Sequence, residues 1–330
     1  MKKIQYFGYC LAIISVLSIG LTGCGGGGSD GEVVSSSTAL VFPSDSVMAE
    51  PTLVNAQKVR DVVVGGTLDA LPLLNSVNNS SKVNLELLSR SVSKKIIEYT
   101  KDINIDTYSL NEVINEQIDC NTSGTMDISS SFDITGGTIT ITFNECNDGD
   151  DLILNGIMQE SVSDYDIAAG NFKTVAITFT TDLTVTDLSQ TLIAKIVQGS
   201  YINMNILTFD IYGVPQTYKL SMTIQATDGI EIVGVENVVF YYDETNVPDM
   251  EMYQTAGKIY IDNLAKYVEY DTTYSMSVTP FIFLNGVLTT GEARYNMADG
   301  GKMKIVIVDG IVTTWVDADG DGTYELTDQP

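Results

Sequence analysis

Histidine is absent from this 330-residue chain. Its absence removes Ser-His-Asp and Cys-His catalysis, imidazole proton shuttles and His-ligated zinc together. Basic residues are few: 17 Lys and Arg stand against 43 Asp and Glu, a formal net charge of −26. Phosphate binding needs clustered Lys and Arg, so a general nucleic-acid partner is excluded. The same deficit argues against adsorption onto anionic lipid head groups. The acids are spread along the whole chain, as expected of a solvated acidic surface. The enzyme routes left would use carboxylate pairs, Lys or Tyr. Paired acids such as Asp148 and Asp150 sit in Gly-rich turns, where Asp is expected for its turn propensity. No enzyme is expected.

Cysteine is also scarce, with four in all. Cys24 closes Leu21-Thr22-Gly23-Cys24, directly after a short apolar run that follows Lys2 and Lys3. A basic start, an apolar middle and small residues at the cut make a secretory signal peptide. A cysteine ending that pattern resembles the bacterial lipoprotein signal. The resemblance covers the first 24 residues and implies cleavage before Cys24, lipid on its sulfur and a membrane as partner. Gly25 rather than Asp follows the cysteine, which resembles an outer-membrane sorting pattern. The apolar run is short for a transmembrane span of ~20 residues. Cys10 falls in the discarded signal, leaving Cys120 and Cys146. An even pair in an exported protein is expected as a disulfide.

The chain divides into four parts: signal 1–23, a flexible Gly/Ser-rich tether 24–42, a helical region 43–119 and a β domain 120–330. Pro51 suits a helix start, and Leu53, Ala56, Val59 and Val63 follow at helical spacing. A second helix is expected over about 82–101, with Leu85, Leu88, Val92, Ile96 and Tyr99 in one stripe. From about Cys120 the period changes to two. Ile139, Ile141 and Phe143 alternate with Thr138, Thr140 and Thr142, and comparable runs follow to the C-terminus. Dipeptides such as Asp228-Gly229 and Asp309-Gly310 separate them as hairpin turns. The spacing predicts ten to thirteen strands, among them one long strand over 173–187. The fold class is α+β, mostly β: a helical N-terminal region, then a large curled antiparallel meander, half-barrel or barrel-like. A transmembrane barrel also alternates, but no paired aromatic girdles are present.

Cys120, Gly124, the run Ile139 to Cys146 and Leu154-Asn155-Gly156 together resemble a module of uncharacterised bacterial lipoproteins. It covers about a ninth of the chain and implies paired cysteines on neighbouring strands. A curled sheet on a helix is similar in shape to lipoprotein carriers that hold acyl chains, which does not by itself license a function.

One segment has ligand-like spacing. Asp317, Asp319 and Asp321 alternate, Gly322 permits a sharp turn, and Thr323, Glu325 and Asp328 offer further oxygens. This matches the front half of the calcium-loop pattern, because calcium needs several hard oxygens aimed at one centre. Asp328 stands where a bidentate Glu is usual, and the flanks read as strands, so the loop is not an EF-hand. Weakly held calcium is one reading; an acidic hairpin tip that binds nothing is the other. The sequence therefore points to a non-enzymatic, lipid-anchored envelope protein that binds or shields an apolar ligand or an envelope partner. The alternative is a structural or adhesive surface protein with a calcium-stabilised loop.

Overall fold

The computed structural model describes residues 40–63, 113–133, 136–147, 152–166, 168–169, 171–211, 215–245, 249–274, 279–284 and 287–328. The signal, Cys24 and the helix expected over 82–101 lie outside the described residues. What is described is a large sheet of eighteen strands, antiparallel except for one short parallel pair, that curls into a ring.

Two strands and a helix come first: β1 (Val47–Met48), α1 (Leu53–Val63) and β2 (Val113–Asp119). The meander continues through β3 (Ser123–Asp133), β4 (Gly136–Asn147), β5 (Leu152–Asp166), β6 (Asn171–Phe179), β7 (Leu183–Asp187), β8 (Leu192–Ile196) and β9 (Tyr201–Phe209). It is completed by β10 (Pro215–Thr227), β11 (Ile232–Asp243), β12 (Asp249–Ile261), β13 (Lys266–Tyr270), β14 (Phe281–Leu284), β15 (Val287–Asn296), β16 (Lys302–Val308), β17 (Ile311–Asp317) and β18 (Leu326–Asp328).

Neighbours in sequence are neighbours in space, so the up-and-down order holds. Three lateral positions are each shared by two segments. Strand β5 pairs with β6 through Met158↔Phe179 and with β7 through Leu154↔Val185. Strands β8 and β9 divide the partnership with β10 in the same way, as β13 and β14 divide that with β12. The strand expected over 173–187 is thus two, broken at Thr180–Asp182. The break has a backbone cause. Gly156 of β5 has φ +137°, and a Cβ there would collide with the Asp182 carbonyl. The expected helical region also ends early. Val113–Asp119 is strand, paired with β3 from Val113↔Ser131 to Asp119↔Thr125.

Alternation sets the inside of the ring. Met126 and Ile128, then Ile139, Ile141 and Phe143, then Met158 and Val162 all face inward and are buried. The same phase continues through Tyr218, Leu220 and Met222 of β10 and Met303, Ile305 and Ile307 of β16. Thr138, Thr140 and Thr142 of β4, Lys219 and Ser221 of β10, and Lys302 and Lys304 of β16 occupy the opposite phase.

The N-terminal segment runs along the outside at one end. Phe42 packs at a tilt on Tyr260 with ring centroids 4.4 Å apart, and the Gln225 amide donates to the Val41 carbonyl at 3.0 Å. Residues expected in the tether are therefore seated on the wall. Strand β1 then pairs in parallel with β13, Val47 opposite Lys266. Helix α1 follows, burying Asn55, Ala56 and Val59 and packing on β12, β17 and β18. Lys58 pairs with Asp262, and Arg60 reaches Asp328 at 2.5 Å.

Candidate metal centre

The acidic loop joins β17 to β18 in a hairpin, so its flanks are strands. Local bonds organise it. The Gly320 and Gly322 amides donate to the two oxygens of Asp317 at 2.8 and 2.9 Å. The Asp321 amide donates to Asp319 Oδ1 at 3.2 Å, and the Thr323 amide to Asp321 Oδ1 at 2.7 Å. The Ala318 amide donates to Glu325 Oε2 at 3.0 Å. Gly320 has φ +76° and lies so close to the Gly300 backbone that no Cβ would fit.

The result is a cluster that can hold a metal ion. One carboxylate oxygen from each of Asp317, Asp319, Asp321 and Glu325 falls within 4.8 Å of all the others. Asp317 is fully buried, and the other three are exposed. Hard carboxylate oxygens are the donor set that calcium takes. Thr323 is exposed, and its amide is committed to Asp321. Asp328 stands outside the cluster. Bonds from Gln57 and then Arg60 hold its carboxyl below the usual carboxylate range. The helix draws it away from the loop, which the linear spacing of the acids does not reveal. Beside the loop, Lys304 lies 4.3 Å from the Tyr324 ring centre and 5.5 Å from that of Trp315.

Cys120 and Cys146 form a disulfide across the β2–β3 turn and the end of β4, with Cα atoms 5.5 Å apart. Its loop spans 26 residues, which in the chain-entropy model stabilises the fold by about 3–4 kcal/mol.

A further residue was not singled out in the sequence. Glu160 of β5 faces inward with 4 % exposure. It lies in a lateral row fixed by register: Ser130, Ile139, Glu160, Ile177, Ile202, Met222 and Val238. Its immediate partners are thus Ile139 and Ile177, both buried. Burial in this apolar setting pushes its carboxyl up to about 7. Among the described residues no cation pairs with it. The Ser130 hydroxyl in the same row is buried and without a hydrogen bond. The signal was present in the sequence, since Glu160 falls in phase with Met158 and Val162. A second carboxylate beside it, as acid–base catalysis by a pair requires, is not found among the described residues.

Against known proteins, the chain matches no family model, no curated protein and no solved structure.

Proposed function

We propose that this chain is a non-enzymatic, lipid-anchored envelope protein whose ring is a structural or adhesive body, stabilised at the β17–β18 loop by weakly held calcium. The anchor rests on Leu21-Thr22-Gly23-Cys24 behind its apolar run. The observation that carries the structural reading is the burial of the inward face. From Met126 in β3 to Ile307 in β16 most inward apolar side chains are buried, and those only partly buried, such as Phe240 and Met250, pack against them. A carrier needs apolar surface left over for its cargo; here that surface is already in contact.

The calcium part rests on the convergence of Asp317, Asp319, Asp321 and Glu325. Each of the three exposed carboxylates keeps one oxygen outside the described hydrogen bonds. Two measurements test the reading. Native mass spectrometry of the purified protein should show no co-purifying lipid beyond that on Cys24. A calorimetric calcium titration should show a saturable heat. Stoichiometric lipid in the first would replace the structural reading by shielding of an apolar ligand; a flat second would leave a bare acidic turn.

A further inference from the structure

The turns at one end of the ring form a continuous rim. The Ile232 amide after the β10–β11 turn donates to Asn263 in the β12–β13 turn at 2.8 Å. The Val47 amide donates to the Ala265 carbonyl of that same turn at 3.0 Å. The Ala298 amide donates to the Ala49 carbonyl at 2.9 Å, and Gly300 in turn abuts Gly320 of the acidic loop. Strand β8, just past the β7–β8 turn, pairs Lys195 with Thr227 at the end of β10.

Large apolar side chains stand out from this rim. Ile230 is 74 % exposed, Val54 62 % and Leu188 59 %. Solvent-facing apolar groups at one end are what a contact surface offers. The opposite rim also bears them, at Ile211, Val308 and Ile311. Exposure alone therefore does not choose an end. The path of the chain does. Leu40 begins the described N-terminal segment, which lies along the first rim, and only residues 25–39 separate it from Cys24. Fifteen residues reach at most about 50 Å when fully extended, so only a nearly taut run would bring the far rim to the anchor. Strand β10, with 13 residues, sets the rims apart by roughly 40 Å.

We infer that the rim carrying Leu188, Ile230 and Val54 seats on the lipid surface to which Cys24 tethers the chain, its apolar side chains entering the head-group layer. The inference rests on the anchored reading above. Charge selects the lipid. The rim bases Lys58, Lys266 and Arg60 are paired with Asp262, Glu50 and Asp328. Acids such as Asp228, Glu231 and Asp299 pair with no such cation among the described residues. A surface of this sign seats on zwitterionic head groups and is repelled by anionic ones.

The test separates docking from lipidation. The mature chain, whose Cys120 and Cys146 are bonded, is coupled through its Cys24 thiol to a maleimide lipid in phosphatidylcholine vesicles. Hydroxyl-radical labelling is then read by mass spectrometry. Relative to the free chain, labelling of Leu188, Ile230 and Val54 should fall several-fold, while Ile211 and Val308 stay unchanged. Adding Leu188→Asp with Ile230→Asp should restore labelling at Val54; Ile211→Asp with Val308→Asp should not. Equal labelling of both rims, or protection of Ile211 and Val308, would overturn the inference. The mass of the N-terminal peptide from the exported protein tests lipidation independently. An unmodified Cys24 removes the anchored reading without altering what the vesicles report of the rim.

Discussion

Replacing Glu160 by Gln should reverse part of the pH dependence of stability. The carboxyl is buried between Ile139 and Ile177 and titrates near 7, against 4.5 when unperturbed. In the window between those values the folded state binds a proton that the unfolded state has lost. Stability therefore falls as pH rises through the window and is flat above it. A displacement of this size corresponds to about 3 kcal/mol, at 1.36 kcal/mol per unit. Gln has nearly the same shape, stays neutral and does not titrate. Wild type and Glu160→Gln should thus be close in stability at pH 4.5. By pH 7.5 the Gln chain should be ahead by roughly 3 kcal/mol. Other acids, Asp166, Asp187 and Asp262 among them, are held below their usual values and destabilise the fold only at lower pH. They act equally in both chains, so the difference isolates Glu160. Urea unfolding at intervals from pH 4.5 to 7.5 measures it. A gap that stays constant across the range, or closes toward pH 7.5, would refute the reasoning and place the carboxyl in water or beside a cation.

Three further outcomes are expected. Cys24→Ser should leave a precursor that no longer fractionates with membranes after a high-salt wash; continued membrane association would count against the anchor. Non-reducing peptide mapping should find Cys120 linked to Cys146, and either single replacement should cost about 3–4 kcal/mol because each opens the same loop; two free thiols would end that claim. Calcium should bind with a dissociation constant of about 10⁻⁴ to 10⁻³ M and, at ten times that value, add about 1.4 kcal/mol of stability. Asp319→Ala and Asp321→Ala should remove this gain with little change in calcium-free stability. Asp317→Ala should cost about 2 kcal/mol without calcium, since it removes the charge-assisted bonds from the Gly320 and Gly322 amides, and a neutral result there would show that the carboxylate does not organise the loop.

The sheet was legible because one face of each strand from β3 to β17 is buried, and burial writes itself into the sequence with period two. Ile139, Ile141 and Phe143 alternate with Thr in the phase that the structure gives them. Alternation carries less information about interruption. The break between β6 and β7 is set by close approach of Gly156 to Asp182, a contact between strands about 25 residues apart, and Thr180 and Thr181 read like any outward Thr. Helix α1 announced itself through Pro51 and its apolar spacing. Strand β2 did not, because Glu116, Gln117 and Asp119 are exposed and dilute the pattern. Its pairing with β3 decides it.

Sites follow the same division between local and distant causes. The Asp317–Glu325 loop could be found because its geometry comes from bonds between residues two to seven positions apart, and alternate acids closing on a glycine turn encode them directly. Asp328 belongs to the same run in sequence but not in space. Its carboxylate answers to Arg60, 268 residues away on a helix that crosses from β12 to β18. Glu160 shows the converse. Its phase was visible, yet its chemistry depends on Ile139 and Ile177, each supplied by a different strand. An acid in the apolar phase of a strand is therefore the stronger sequence signal than an acid in a turn. Turn acids such as Asp228 bond the backbone two or three residues on, and the turn alone explains them. An inward acid on a strand has no local partner to explain it, and desolvation makes its cost, and so its measurable effect, larger.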